Sequence, residues 1–274
     1  MEIALAEAEK IFEQAVAKSG TDEITLYDRL IKYIGTNESP ELQTLCTKAR
    51  LNKGIGLAQQ SKLQDALDVF EDLQRSCSDS KHLAIRILAA TAMVNRGFVL
   101  ALQQNTLQAL AAYDEVVDQF KDAEEIELQE QVAKALVNKA CTFARNNRTT
   151  EEYVVFNDLM NRFAAARDSR LQVLVAKAQH NRALALDKMS NTAEADKIFE
   201  AIAGKFWQSD HSELKELVIH ALAQKAELQA RRGNRNEANA NYDRILDHYG
   251  DDPDQKLKEH LDRVRFNRGF SYHF

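Results

Sequence analysis

Six side-chain amides stand at a fixed interval along the chain: Asn52, Asn95, Asn138, Asn181, Gln224 and Asn267, each 43 residues after the one before. A carboxamide carries both donors and an acceptor. It can pair with the C=O and the N–H of an extended peptide backbone whatever that peptide's side chains are. One helical turn ahead of each amide lie Lys48, Thr91, Lys134, Lys177, His220 and Arg263, and three residues behind lie Ile55, Phe98, Cys141, Leu184, Glu227 and Phe270. Spacings of three and four put these positions on one helix face. The candidate peptide-binding residues are therefore the six amides with Lys48, Lys134, Lys177, Arg263, Phe98 and Leu184. Such a face is amide-lined, partly basic and partly apolar, and suits an extended segment with acidic and hydrophobic side chains. The competing reading is that each amide bonds a neighbouring helix or loop.

A second chemistry is written beside the amides. The next residue is always basic (Lys53, Arg96, Lys139, Arg182, Lys225, Arg268). A second series, Tyr27, Phe70, Tyr113, Phe156, Phe199 and Tyr242, keeps the same step of 43, and the residue after it is acidic in Asp28, Glu71, Asp114, Glu200 and Asp243, with Asn157 the exception. Two matched ladders of opposite sign predict ion pairs between stacked helices rather than a nucleic-acid surface. The net charge of −6 and the scarcity of aromatics on the amide face also count against nucleic acid.

No catalytic pattern is present: no Gly-rich phosphate loop, no HExxH and no GxSxG. His82, His180, His211, His220, His248, His260 and His273 are scattered, with no His pair spaced for a metal, and Cys46, Cys77 and Cys141 form no CxxC. The expectation is a chain that is not an enzyme and holds no metal or cofactor. The three cysteines read as buried apolar residues of a reducing compartment. The start, Met1-Glu2-Ile3-Ala4, has no charged region before an apolar core, and no apolar run approaches the ~18 residues of a membrane span. A cytoplasmic protein without a membrane contact is expected.

The elements that must position these residues follow from the same period. A third series, Ile34, Cys77, Phe120, Phe163, Phe206 and Tyr249, runs seven residues behind the aromatics. Tyr113, Val116, Val117 and Phe120 fall at i, i+3, i+4 and i+7, one apolar helix face. Ala133, Leu136, Val137 and Ala140 give the amide-bearing segment the same period. Short polar turns such as Gln103-Gln104-Asn105, Asn146-Asn147-Arg148 and Arg232-Gly233-Asn234 separate the two. Each unit is thus a helical hairpin, and a period of 20–50 residues marks a stacked array. With only nine Gly and two Pro in 274 residues, β architectures are disfavoured. Pro40 and Pro253 fall between units, where a proline starts a helix without losing a needed donor. The chain divides as 1–37, 38–80, 81–123, 124–166, 167–209 and 210–252, with a partial seventh unit over 253–274, in one domain spanning 1–274.

A small residue at the first-helix crossing (Gly97), a small residue early in the second helix (Ala109) and an aromatic four later (Tyr113) resemble the tetratricopeptide repeat; Ala66 with Phe70, Ala195 with Phe199 and Ala238 with Tyr242 repeat the pair. The likeness covers nearly the whole chain, closest to bacterial tandem repeats with Asn-Lys-Gly strings. It departs in length: the usual unit is ~34 residues, and the extra nine are expected in the first helix and the loop leading to it. Met93 and Leu136 stand where the family has an aromatic, and Glu23 and Glu152 replace the small residue. The resemblance implies an all-α, right-handed solenoid of six hairpins plus a C-terminal helix, with first helices on the concave side. It also implies a scaffold that binds another protein or an extended peptide segment there. The alternative is a regulatory arm that uses its convex face or its ends, where Phe270, Tyr272 and Phe274 cluster.

Overall fold

The computed structural model describes the backbone of residues 2–271 and the side chains of residues 4–269. Thirteen helices and no strand occur among the described residues. They pair as α1 (Glu2–Val16) with α2 (Thr21–Ile34), α3 (Pro40–Gln59) with α4 (Leu63–Cys77), and α5 (Leu83–Leu102) with α6 (Thr106–Phe120). Next come α7 (Ile126–Arg145) with α8 (Thr149–Phe163), α9 (Ser169–Lys188) with α10 (Thr192–Phe206), α11 (Ser212–Arg231) with α12 (Arg235–Tyr249), and last α13 (Gln255–Ser271). The fold is an all-α array of helical hairpins. From α3 to α12 every first helix has 20 residues and every second helix 15, so the extra length does extend the first helix.

The hairpin turn is built by backbone chemistry. At its tip Ser61, Gln104, Asn147, Ser190 and Gly233 have φ between 56° and 84°. The N–H of the following residue (Lys62, Asn105, Arg148, Asn191, Asn234) donates to the carbonyl five residues back, at 2.8–3.0 Å. This six-to-one closure ends the first helix, satisfies one of its last carbonyls and reverses the chain within three residues.

The chain divides into two compact units, Met1–Thr142 and Phe143–Phe274, with the division inside α7. In the first, α1, α3 and α5 pack side by side and α2 and α4 each sit between successive first helices; in the second, α9, α11 and α13 do so, with α10 and α12 between them. First helices thus form one layer in each unit and second helices the other, and neighbouring second helices touch through side chains, Gln74 to Glu115 and Arg244 to Glu200. Between the layers lie all six residues of the aromatic series and all six of the series seven behind, every one buried. The early small residues Ala66, Ala109, Ala195 and Ala238 are fully enclosed. At the crossing, a Cβ on Gly54 would lie 2.4 Å from the Phe70 ring and one on Gly97 2.5 Å from the Tyr113 ring, so these two glycines let a ring rest on helix backbone.

Four sequence expectations need correction or limitation. Helix α5 is long and apolar enough to span a membrane by length and composition, with a mean hydropathy of 1.5; half of it is buried within its unit, because the alanines and valines that make it apolar face α3, α4 and α6. Pro40 opens α3 behind a Ser39 cap, whereas Pro253 lies two residues ahead of α13. Cys46 and Cys77 are buried but Cys141 only partly so. Tyr272, Phe274 and the Phe270 side chain lie outside the described residues.

Candidate functional site: the amide face of the first helices

All six amides are half-buried on their first helices. Two of them, Asn52 and Asn267, engage the tyrosine that stands 25 residues earlier. The hydroxyl meets the amide: Asn52 donates to Tyr27 Oη at 3.2 Å, and Asn267 bonds Tyr242 besides reaching Glu227 Oε1 at 3.5 Å. Burial pushes both phenols above their ordinary pKa and the amide bond partly offsets it. Where the residue is phenylalanine, as at Phe70 and Phe199, there is no hydroxyl to bond. No hydrogen bond links the Asn95 or Gln224 side chain to another group among the described residues. Asn181 bonds its neighbour His180, and Asn138 is half-buried like the rest. The ladder is therefore mixed, with Asn52 and Asn267 engaged internally and Asn95 and Gln224 without a side-chain hydrogen bond among the described residues.

The flanking residues are more neutral than the sequence suggests. Lys134 pairs with Glu130 one turn ahead at 2.7 Å, and Lys177 reaches Glu213 on α11 at 2.7 Å. Lys48 and Arg263 remain exposed. Phe98 is 38% exposed, a large apolar group in solvent, while Leu184 is half-buried against the core of its unit.

The paired ladders form as ion pairs between second helices and the first helices that follow. Lys53 meets Asp28 at 2.5 Å, Lys225 meets Glu200 at 2.8 Å, and Lys139–Asp114 and Arg268–Asp243 are also in contact. Arg96 departs, turning from Glu71 to Glu115 at 2.6 Å and to Gln74. Arg182, whose partner position is Asn157, instead donates to Tyr153 Oη at 3.1 Å. These basic side chains are held by protein partners, which removes the clearest nucleic-acid contact surface. Each pair has an exposed member, so each contributes under about 1 kcal/mol.

In the Phe143–Phe274 unit, Gln224, Asn267 and Arg263 line one pocket of about 140 Å³ together with His220 and Glu227. The positions at the amide, one turn before it and three residues after it thus meet in one cavity between α11 and α13. His180 and His260 line it too, and sequence reasoning missed this convergence. His220 Nε2 lies 2.9 Å from His260 Nδ1, and His260 Nε2 lies 3.4 Å from Glu216 Oε1. The His180 ring centroid is 6.2 Å from that of His220. Burial holds the His180 imidazole down at about 4 and pulls His220 below its usual value, so both are neutral at pH 7. The missed signal was arithmetic: His180, His220 and His260 step by 40, three short of the repeat. That is nearly one turn per helix, so the three run diagonally across adjacent first helices. The expectation that the histidines are scattered is corrected for these three, which are neighbours.

No known family profile and no curated protein matches the chain. Among solved structures, a tetratricopeptide repeat protein from Parabacteroides merdae is similar at 12% identity and a TM-score of 0.48, over 94% of this chain and 98% of that one. The tetratricopeptide-repeat domain of P58(IPK) is similar at 14% identity and a TM-score of 0.34, over 98% of this chain and 67% of that one.

Proposed function

We propose that the chain is a protein-binding module whose first-helix face holds an extended segment of a partner by its backbone. The observation that carries this reading is the pocket in which Gln224, Asn267, Arg263 and Glu227 converge. Amide, cation and carboxylate there are the groups needed to meet a peptide's C=O, N–H and charged side chains. Packed first helices stand about 8–10 Å apart and an extended peptide advances about 3.3 Å per residue, so one amide meets about every third ligand residue. Each within its own unit, Asn95 and Gln224 carry the recognition, since neither amide is engaged inside the protein, whereas Asn52 and Asn267 brace the layers through Tyr27 and Tyr242. Phe98 offers an apolar side-chain contact in the Met1–Thr142 unit.

The test is selection of displayed random 12-residue peptides on the protein, followed by calorimetric titration of the selected peptides. An Asn95→Ala, Gln224→Ala double variant, with folding checked by circular dichroism, is expected to lose at least about 10-fold in affinity. Asn52→Ala is expected to keep it. Failure to select any peptide, or equal affinity in the double variant, rejects the reading.

A further inference from the structure

We propose that Glu216, His220 and His260 form a binding site for a divalent late transition metal, of which Zn²⁺ is the natural occupant by ligand type. Three features of the geometry carry it. Glu216 and His220 are four residues apart on α11, so both project from one face, and His260 reaches them from α13. One donor atom from each residue already lies within 4.8 Å of the other two. Tetrahedral zinc with bonds of about 2.0–2.1 Å needs donors about 3.4 Å apart. The His220–His260 nitrogens at 2.9 Å need to open slightly, and the carboxylate must close in by a side-chain rotation.

His220 Nε2 and His260 Nδ1 share a proton across 2.9 Å, and His260 Nε2 faces Glu216 Oε1 at 3.4 Å. A cation between the two imidazoles takes the place of that shared proton, which leaves for the outer nitrogen of the ring that carried it. Two imidazoles and one carboxylate are a borderline donor set. They favour Zn²⁺, Cu²⁺, Ni²⁺ and Co²⁺ over Mg²⁺ and Ca²⁺, which prefer oxygen. Arg263 lines the same pocket and opposes a cation, and Glu227, also lining it, offsets that charge. The three residues leave at least one coordination position open toward the pocket, where buried His180 Nε2 has no hydrogen-bond partner. The site stands on its own geometry and holds whether or not a peptide binds the amide face.

The experiment is calorimetric titration of untagged, chelator-stripped protein with ZnCl₂, repeated with CoCl₂ under visible absorption. One Zn²⁺ per chain with a dissociation constant below about 10 µM is expected, and Co²⁺ should give d–d bands without thiolate charge transfer. Losing a ligand costs at least as much as losing an outer-shell partner, so His220→Ala and His260→Ala should weaken binding by about 10–100-fold or more. His260→Gln, which keeps a polar side chain of similar length, guards against a folding defect, and His211→Ala and His248→Ala serve as unchanged controls. Wild-type binding weaker than about 100 µM, a cobalt spectrum with sulfur charge transfer from Cys46, Cys77 or Cys141, or undiminished binding in folded His260→Gln each overturns the site.

Discussion

Hairpins α3–α4 and α5–α6 of one unit and α11–α12 of the other place glycine at different points. In Met1–Thr142 the crossing is Gly54 against Phe70 and Gly97 against Tyr113, while the turn tips are Ser61 and Gln104 with positive φ. In α11–α12 of Phe143–Phe274 the crossing is Ala226, fully buried, and the tip is Gly233. A crossing without a Cβ lets the ring touch backbone, and one with a methyl holds it away. A tip without a Cβ relieves the left-handed conformation that Ser61 and Gln104 must bear. The demand at each position is therefore set by its immediate neighbour rather than by the repeat motif. One hairpin departs early in its second helix, where Glu152 stands 4% exposed in place of the enclosed Ala66, Ala109, Ala195 and Ala238.

The contrast can be broken most forcefully at the crossing. Gly97→Leu drives a side chain into the buried Tyr113 ring and should destabilise by about 3 kcal/mol, read as a fall in urea midpoint. Ala226→Gly should lower stability by only about 1 kcal/mol. A loss under about 1 kcal/mol for Gly97→Leu means that the ring is not fixed and that the crossings are alike.

Glu152 gives the next effect, of opposite sign. Its Oε2 is buried without a hydrogen bond, and Lys188 stands 3.9 Å away. Burial raises this carboxyl's pKa, which Lys188 only partly offsets. The folded state therefore holds its proton more tightly than the unfolded chain. The favourable contribution is present below the unfolded value and is lost as pH rises through the raised one. Glu152→Ala, the residue of the sister repeats, should stabilise by about 1–2 kcal/mol at pH 7, with the gain shrinking toward pH 4 in thermal melts. A pH-independent gain points to packing instead.

The smallest effect lies at the tips. Gln104→Gly should raise stability by about 0.5–1 kcal/mol and Gly233→Gln lower it by a similar amount, measured by urea midpoint. Equal responses at the two tips erase the distinction between the hairpins there.

The hairpins, their boundaries and the paired charge ladders could be read from the chain because all of them keep step with the repeat. Tyr27, Lys53 and Asp28 sit where their spacing says they must meet. What escaped was whatever departs from that step or depends on a neighbour's atoms. The Tyr27 hydroxyl claims Asn52 and a phenylalanine cannot, yet both read as one aromatic series. Arg96 prefers Glu115 over Glu71, a choice between two nearby carboxylates that no periodicity encodes. The apolarity of α5 reads like a membrane span until α3, α4 and α6 are packed around it. The histidine site was hidden because its members lie off the repeat's own register.

That offset bears on the molecule's history. A tandem duplication copies side chains in register, and the in-register equivalents of His180, His220 and His260 are Ala223, Lys177 or Arg263, and Leu217. No copying event of 43 residues generates a series that advances by 40. The three imidazoles therefore share no single repeat position, and each reaches the pocket from its own place on its helix.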